Sequence, residues 1–200
     1  MIHFLLMFAA TALVLSGGAA WSEDAAFLLD LVKDRNQAIE KIVKSPTEGE
    51  TPEERAQIKA IVSELFDFES FSEVSLGRYW KERSDAEKVE FTLLCRRLIE
   101  RNYADPKLYK KAEKVEYVGA SIDGDTGEVK TLVSYKTEES AIDYQLKKVG
   151  DAWLIYDMVI DDLSIAKNNR SQFRREIRKT SYEGLVQKLK DKLTKDQSSK

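Results

Sequence analysis

Histidine is almost missing from this chain: His3 is the only one in 200 residues. It falls inside an apolar leader that is expected to be removed. What remains cannot assemble a Ser-His-Asp or Cys-His relay or a histidine-ligated zinc, so most familiar hydrolase and metalloenzyme designs are excluded. Cysteine is equally scarce. The lone Cys95 rules out an internal disulfide. Its helical spacing with Phe91, Leu94 and Leu98 reads as core filler rather than as a reactive thiol. Charge of one sign is lacking too: 32 basic and 35 acidic side chains give a net charge of -3, so no overall field draws nucleic acid. Internal repeats and low-complexity tracts are absent.

The chain also has no apolar run long enough to span a bilayer, which takes about 20 residues. Phe4 to Leu15 is apolar except for Thr11, and the small residues Ser16 to Ala20 follow. That pattern predicts a secretory signal peptide over residues 1–22. No cysteine follows at a lipoprotein position, so the mature chain is expected to be soluble. With 42% hydrophobic and 34% charged residues, 23–194 reads as one globular domain, and 195–200 as a disordered tail.

Helices dominate the first half. Phe27, Leu28, Leu31, Val32, Ile39, Ile42 and Val43 form one stripe at helical period. Residues 45–51 form a loop. Thr51-Pro52-Glu53-Glu54 combines a capping threonine, a first-turn proline and a glutamate three residues on, which predicts a helix to about Phe66. Phe66, Phe68, Phe71, Val74 and Leu76 suggest a short third helix or a turn followed by one. Ser84-Asp85-Ala86-Glu87 is a second capping box, opening a helix that stops before Pro106. Tyr79 and Trp80 therefore sit at a helix–helix corner, which is preferred here over ligand stacking.

From Val115 the pattern becomes that of a four-stranded antiparallel meander. Its strands are Val115–Ile122, Val129–Tyr135, Ile142–Val149 and Ala152–Ile160. The two-residue link Gly150-Asp151 pairs Val149 with Ala152, and by simple continuation Leu146 with Ile155 and Tyr144 with Asp157. The core face then carries Ile142, Tyr144, Leu146, Trp153, Ile155, Asp157 and Val159. Asp161 to Ser164 leads into a basic helix, and Thr180-Ser181-Tyr182-Glu183 reads as a third capping box before the last helix. The fold class is α+β.

Candidate chemistry is thin. Asp157 is an acid on an apolar face beside Tyr144, either a general acid or base in a cavity or one half of a structural hydrogen bond; the structural role is preferred. Asp161-Asp162 and Asp123-Gly124-Asp125 resemble loose calcium sites but lack the spacing of a calcium loop, so turns are the simpler account and no metal site is expected. Arg170, Arg174, Arg175 and Arg178 form either a solvated face or a docking surface.

Two longer stretches carry a family resemblance. "LGRYWKERSDAEKVEFTLLCRRLIERNYADPKLYKKAEKV", Leu76 to Val115, and "WLIYDMVIDDLSIAKNNRSQFRREIRKTSYEGLVQKLKDKL", Trp153 to Leu193, together resemble the MlaC-type (toluene-tolerance auxiliary) family. The resemblance implies a nuclear-transport-factor-like curved sheet wrapped by helices around an apolar pocket for acyl tails. It implies a monomeric, non-catalytic periplasmic carrier that moves phospholipid between an outer-membrane lipoprotein complex and an inner-membrane ABC transporter complex, with no cofactor beyond the lipid. Hopanoid-type carriers are similar, and a cavity enzyme using Asp157 and Tyr144 is the alternative from another class. Where the family commonly has Glu-Gly at the strand exit, this chain has Asp161-Asp162; aspartate tolerates the left-handed backbone such a turn requires. Face and register arguments nominate Leu94, Leu98, Val133, Tyr135, Tyr144, Leu146, Trp153, Ile155 and Val159 as pocket residues.

Overall fold

The computed structural model describes residues 23–43 and 51–195. The expected signal peptide over 1–22, residues 44–50 of the expected loop and residues 196–200 of the expected tail lie outside the described residues. Helices α1 (Glu23–Val43), α2 (Pro52–Leu65), α3 (Phe68–Leu76), α4 (Asp85–Tyr103) and α5 (Pro106–Lys110) come first, with a 3-10 turn over Gly77–Glu82. Strands β1 (Lys114–Asp123), β2 (Thr126–Ser134), β3 (Glu139–Val149), β4 (Ala152–Ile160) and β5 (Leu163–Ser164) follow, then α6 (Ile165–Lys179) and α7 (Tyr182–Lys195). Among these no helix is long and apolar enough to cross a membrane.

The caps explain why the helices start where they do. Thr51 Oγ accepts the Glu54 N–H at 3.0 Å while the Glu54 carboxylate accepts the Thr51 N–H at 3.1 Å, closing the predicted box. Ser84 and Glu87 do the same for α4. At α7 the cap falls one residue later than predicted: Ser181 Oγ accepts the Gly184 N–H, and Thr180 instead bonds back to the Glu176 carbonyl. Trp80, 6% exposed, is part of the core at the α3–α4 corner, and Arg78 lies across the Tyr79 ring.

The sheet is an antiparallel meander of five strands in sequence order, not four. The extra strand exists because Asp161 and Asp162 both adopt positive φ (48° and 65°), a turn that folds Leu163–Ser164 back onto Ile160–Val159. Asp161 fixes that turn by accepting the Ala141 N–H and the Ser140 hydroxyl.

The predicted β3–β4 register holds from Val149/Ala152 to Leu146/Ile155 and then shifts. Beyond Leu146, Gln145 lies opposite Asp157 and Tyr144 opposite Met158, so Tyr156 is an extra residue on β4. A one-residue shift exchanges the two faces of everything after it. Met158 and Ile160 therefore share the inner face with Ile155, and Asp157 and Val159 point the other way. A neighbouring segment meets the strand at the same point: the Asp67 N–H donates to the Ile155 carbonyl at 2.8 Å, and Phe66 bridges Ile155 in parallel.

Candidate functional site

The inner face of the sheet is filled at one end and hollow at the other. At the filled end α1 lies directly on the meander: a Cβ on Gly127 would come within 2.3 Å of Leu28 Cδ1 and 3.4 Å of the Trp153 ring. Toward the other end, beneath the second half of α1, a cavity of about 690 Å³ opens between the sheet and α1, α2, α4 and α5. Val133, Ile142, Tyr144, Ile155, Met158 and Ile160 make its floor. Ile39, Val43, Val62, Leu65, Ile99 and Leu108 come from the helices above. The lining reaches the surface through exposed Gln37, Glu40, Leu108, Lys110, Glu113 and Lys114. Aliphatic and aromatic side chains predominate inside, and charge is confined to the mouth.

Tyrosine is the main polar element of the wall. Tyr103, Tyr109, Tyr117, Tyr135 and Tyr144 all line the cavity. The Tyr109 hydroxyl donates to the Tyr103 carbonyl at 2.6 Å, and the Asn36 amide donates to the Tyr117 hydroxyl at 3.2 Å. Burial pushes the Tyr144 phenol up to about 12, against the pull of the Asn36 amide. Burial also raises the Tyr109 and Tyr117 phenols. The wall thus offers neutral hydroxyls at physiological pH.

Two buried carboxylates hold the roof. Glu100 on α4, 6% exposed, accepts from Arg96 at 2.6 Å, Ser63 at 2.8 Å and Lys59 at 3.0 Å, tying α4 to α2. Burial alone would raise its pKa, but the three donors outweigh it and hold the carboxyl below the usual range. Glu54 at the start of α2 accepts from Lys110 of α5 at 3.2 Å.

Of the residues nominated from sequence, Val133, Tyr135, Tyr144 and Ile155 line this cavity. Leu146 and Trp153 are on the correct face but at the end that Leu28 fills, and Leu146 is fully buried. Leu94, 4% exposed, belongs to the packed core, and Leu98 lines a smaller hollow of about 180 Å³ among α4, α6 and α7. Val159 is turned off the inner face by the bulge. Asp157, 3% exposed, does not pair with Tyr144: it accepts the Ser164 hydroxyl and the N–H groups of Met158 and Ala166, anchoring the start of α6. Arg170, Arg174, Arg175 and Arg178 are exposed on α6, and none of them lines the cavity. Among the described residues no cluster of His, Cys, Asp and Glu suits a metal.

The sequence reading missed the contributions of α1, α2 and α5. For α5 a signal was present: Asp105-Pro106 is a capping residue followed by a first-turn proline, and Asp105 Oδ1 accepts the Lys107 N–H at 3.0 Å. That short helix brings Leu108 and Tyr109 to the cavity.

The family model described as MlaC protein matches residues 33–191, which include every element from the second half of α1 through most of α7. The chain belongs to the MlaC family. A phospholipid-binding protein from Ralstonia solanacearum, solved in complex with a phospholipid, superposes with a TM-score of 0.70. It is 21% identical, and the match covers 84% of this chain and 97% of that one. At that identity the likeness establishes the fold of this MlaC-family chain. A cystatin-like protein from Ruminococcus gnavus, 18% identical over 63% of this chain and 35% of its own, has a TM-score of 0.24 and is too distant to bear on it. No curated protein matches the chain.

Proposed function

We propose that this protein is a periplasmic phospholipid carrier whose cavity shelters acyl tails while the lipid travels between the outer membrane and an inner-membrane ABC transporter complex. The observation that carries the reading is the hollow of about 690 Å³ under the meander, walled by aliphatic and aromatic side chains and open at a charged mouth. Membership of the MlaC family and the phospholipid held by the Ralstonia protein of the same fold support it.

Energetics favour enclosure of the tails. Each methylene hidden from water contributes about 0.8 kcal/mol, so two chains of roughly 16 carbons are worth on the order of 25 kcal/mol. A solvent-exposed contact to the headgroup contributes about 1 kcal/mol or less. The tails hold the lipid, and the mouth tunes which lipid is held. On this reading Val133, Tyr135, Tyr144 and Ile155 touch the chains. The stripe of Arg170, Arg174 and Arg178, spaced four apart on one side of α6, with Arg175 beside it, serves as the docking face for an acidic partner surface.

Lipid extraction tests this reading. Protein purified from periplasm without detergent should release phospholipid in stoichiometric amount on organic extraction, identified by mass spectrometry. Folded protein that repeatedly releases none would contradict it, and release of hopanoid alone would reassign the cargo.

A further inference from the structure

The cavity wall carries hydrogen-bond donors that the protein itself does not use. Asn36 of α1, Tyr117 of β1 and Tyr144 of β3 come from three elements and line the same hollow. The Asn36 amide donates to the Tyr117 oxygen at 3.2 Å, and Tyr144 is the second phenol within that amide's influence. A phenol oxygen that accepts still keeps its own O–H to give. The one hydrogen bond of the Tyr117 side chain among the described residues is the one it accepts from Asn36, which leaves its O–H to donate into the hollow. An apolar container has no need of such donors, and in an open hollow a ligand acceptor can take the place of water on them.

The missing partner is an acceptor. Two kinds of acyl lipid bring one to the head of the chain: an ester carbonyl, or the carboxylate of a free fatty acid. The local charge favours the neutral one, because Glu40 and Asp34 of α1 place negative charge near Tyr117. A carboxylate at that phenol would meet repulsion from both, while Lys33 and Arg35 of the same helix also line the cavity, so the palmitate arm below separates the two acceptors.

We propose that Asn36, Tyr117 and Tyr144 form a polar clamp in the cavity wall that hydrogen-bonds the ester carbonyl of a bound acyl chain, so that the protein prefers ester-linked to ether-linked lipids. The proposal rests on the acyl-tail reading above and deepens it. The tails supply most of the affinity, and the clamp sets how far a chain enters and which linkage is retained. Ether-linked lipids have the same tails but no carbonyl, which isolates the clamp from the hydrophobic term.

The test is competitive loading. Delipidated protein is incubated with vesicles containing equal amounts of a diester phosphatidylglycerol and its dialkyl ether counterpart, and the bound lipid is extracted and counted by mass spectrometry. The wild type should enrich the diester about fivefold for each hydrogen bond made. Tyr117→Phe and Tyr144→Phe should each lower the enrichment. The double variant should take the two lipids in equal amounts, with its fold checked by circular dichroism. Equal loading of the two lipids by the wild type, or wild-type enrichment retained in the double variant, would overturn the clamp while leaving the carrier reading intact. Failure of the wild type to load either lipid would overturn the carrier reading and the clamp together. A parallel arm uses palmitate: loading that matches the diester and is lost in the double variant would overturn the ester assignment in favour of a carboxylate.

Discussion

The carboxylate of Asp157, near the end of β4, accepts the backbone N–H of Ala166, in the first turn of α6, at 2.9 Å. The same side chain accepts the Ser164 hydroxyl, and Ser164 in turn caps α6 by accepting the Lys167 N–H at 3.0 Å. Asp157 thus joins the sheet to the helix that follows it, on the side of β4 away from the cavity.

That placement predicts a stability effect without a binding effect. Asp157→Ala strands a buried hydroxyl and two N–H donors and should cost about 3 kcal/mol, read as a lower urea midpoint. The folded fraction should retain lipid like the wild type. Loss of lipid from correctly folded Asp157→Ala protein would return Asp157 to the site.

Glu100 should make stability pH-dependent. Its carboxyl is held below the unfolded value of about 4.3, so its contribution is complete above that pH and disappears as pH falls through the lower folded-state pKa. Glu100→Gln should therefore lower stability by about 1–2 kcal/mol at pH 7. Urea titrations of both proteins should converge as the pH drops below about 4. A difference that stays constant across that range would contradict the ion-pair account.

Cys95 should be silent. It is 1% exposed, and burial pushes its thiol up to about 12, so almost no thiolate exists at neutral pH. Iodoacetamide at pH 8 should label the protein only after denaturant is added. Rapid labelling of the native form would show that the core around α4 opens.

How much of this was legible in the sequence depends on the range of the interactions involved. Helix starts at Thr51 and Ser84 are local, three-residue devices, and both boxes form as read. The tight link at Gly150-Asp151, with Gly150 at φ 60°, sets the first four pairs of its hairpin. The bulge at Tyr156 is different. It occurs where a distant segment, Phe66-Asp67, meets Ile155, and alternation within the strand carries no trace of that meeting. Every face assignment beyond it on β4 was consequently reversed, while Ile142 and Tyr144 on β3 kept theirs. Leu146 and Trp153 illustrate another limit: strand parity says which face a residue occupies, while the way α1 crosses the sheet decides which end of that face is filled. A cavity is defined by what fails to touch, and one chain's periodicity records only what is apolar.

The account stands on the hollow beneath the meander being the place where lipid sits. Ile142 projects from β3 into that space, whereas Leu146, four residues on along the same strand, is packed. Native mass spectrometry of Ile142→Trp beside the wild type is the most direct test, because the indole would occupy volume now open without displacing the core. The prediction is a folded variant whose bound lipid falls at least about tenfold, the equivalent of roughly 1.4 kcal/mol or more of lost affinity. Full lipid occupancy in the folded Trp variant would contradict it.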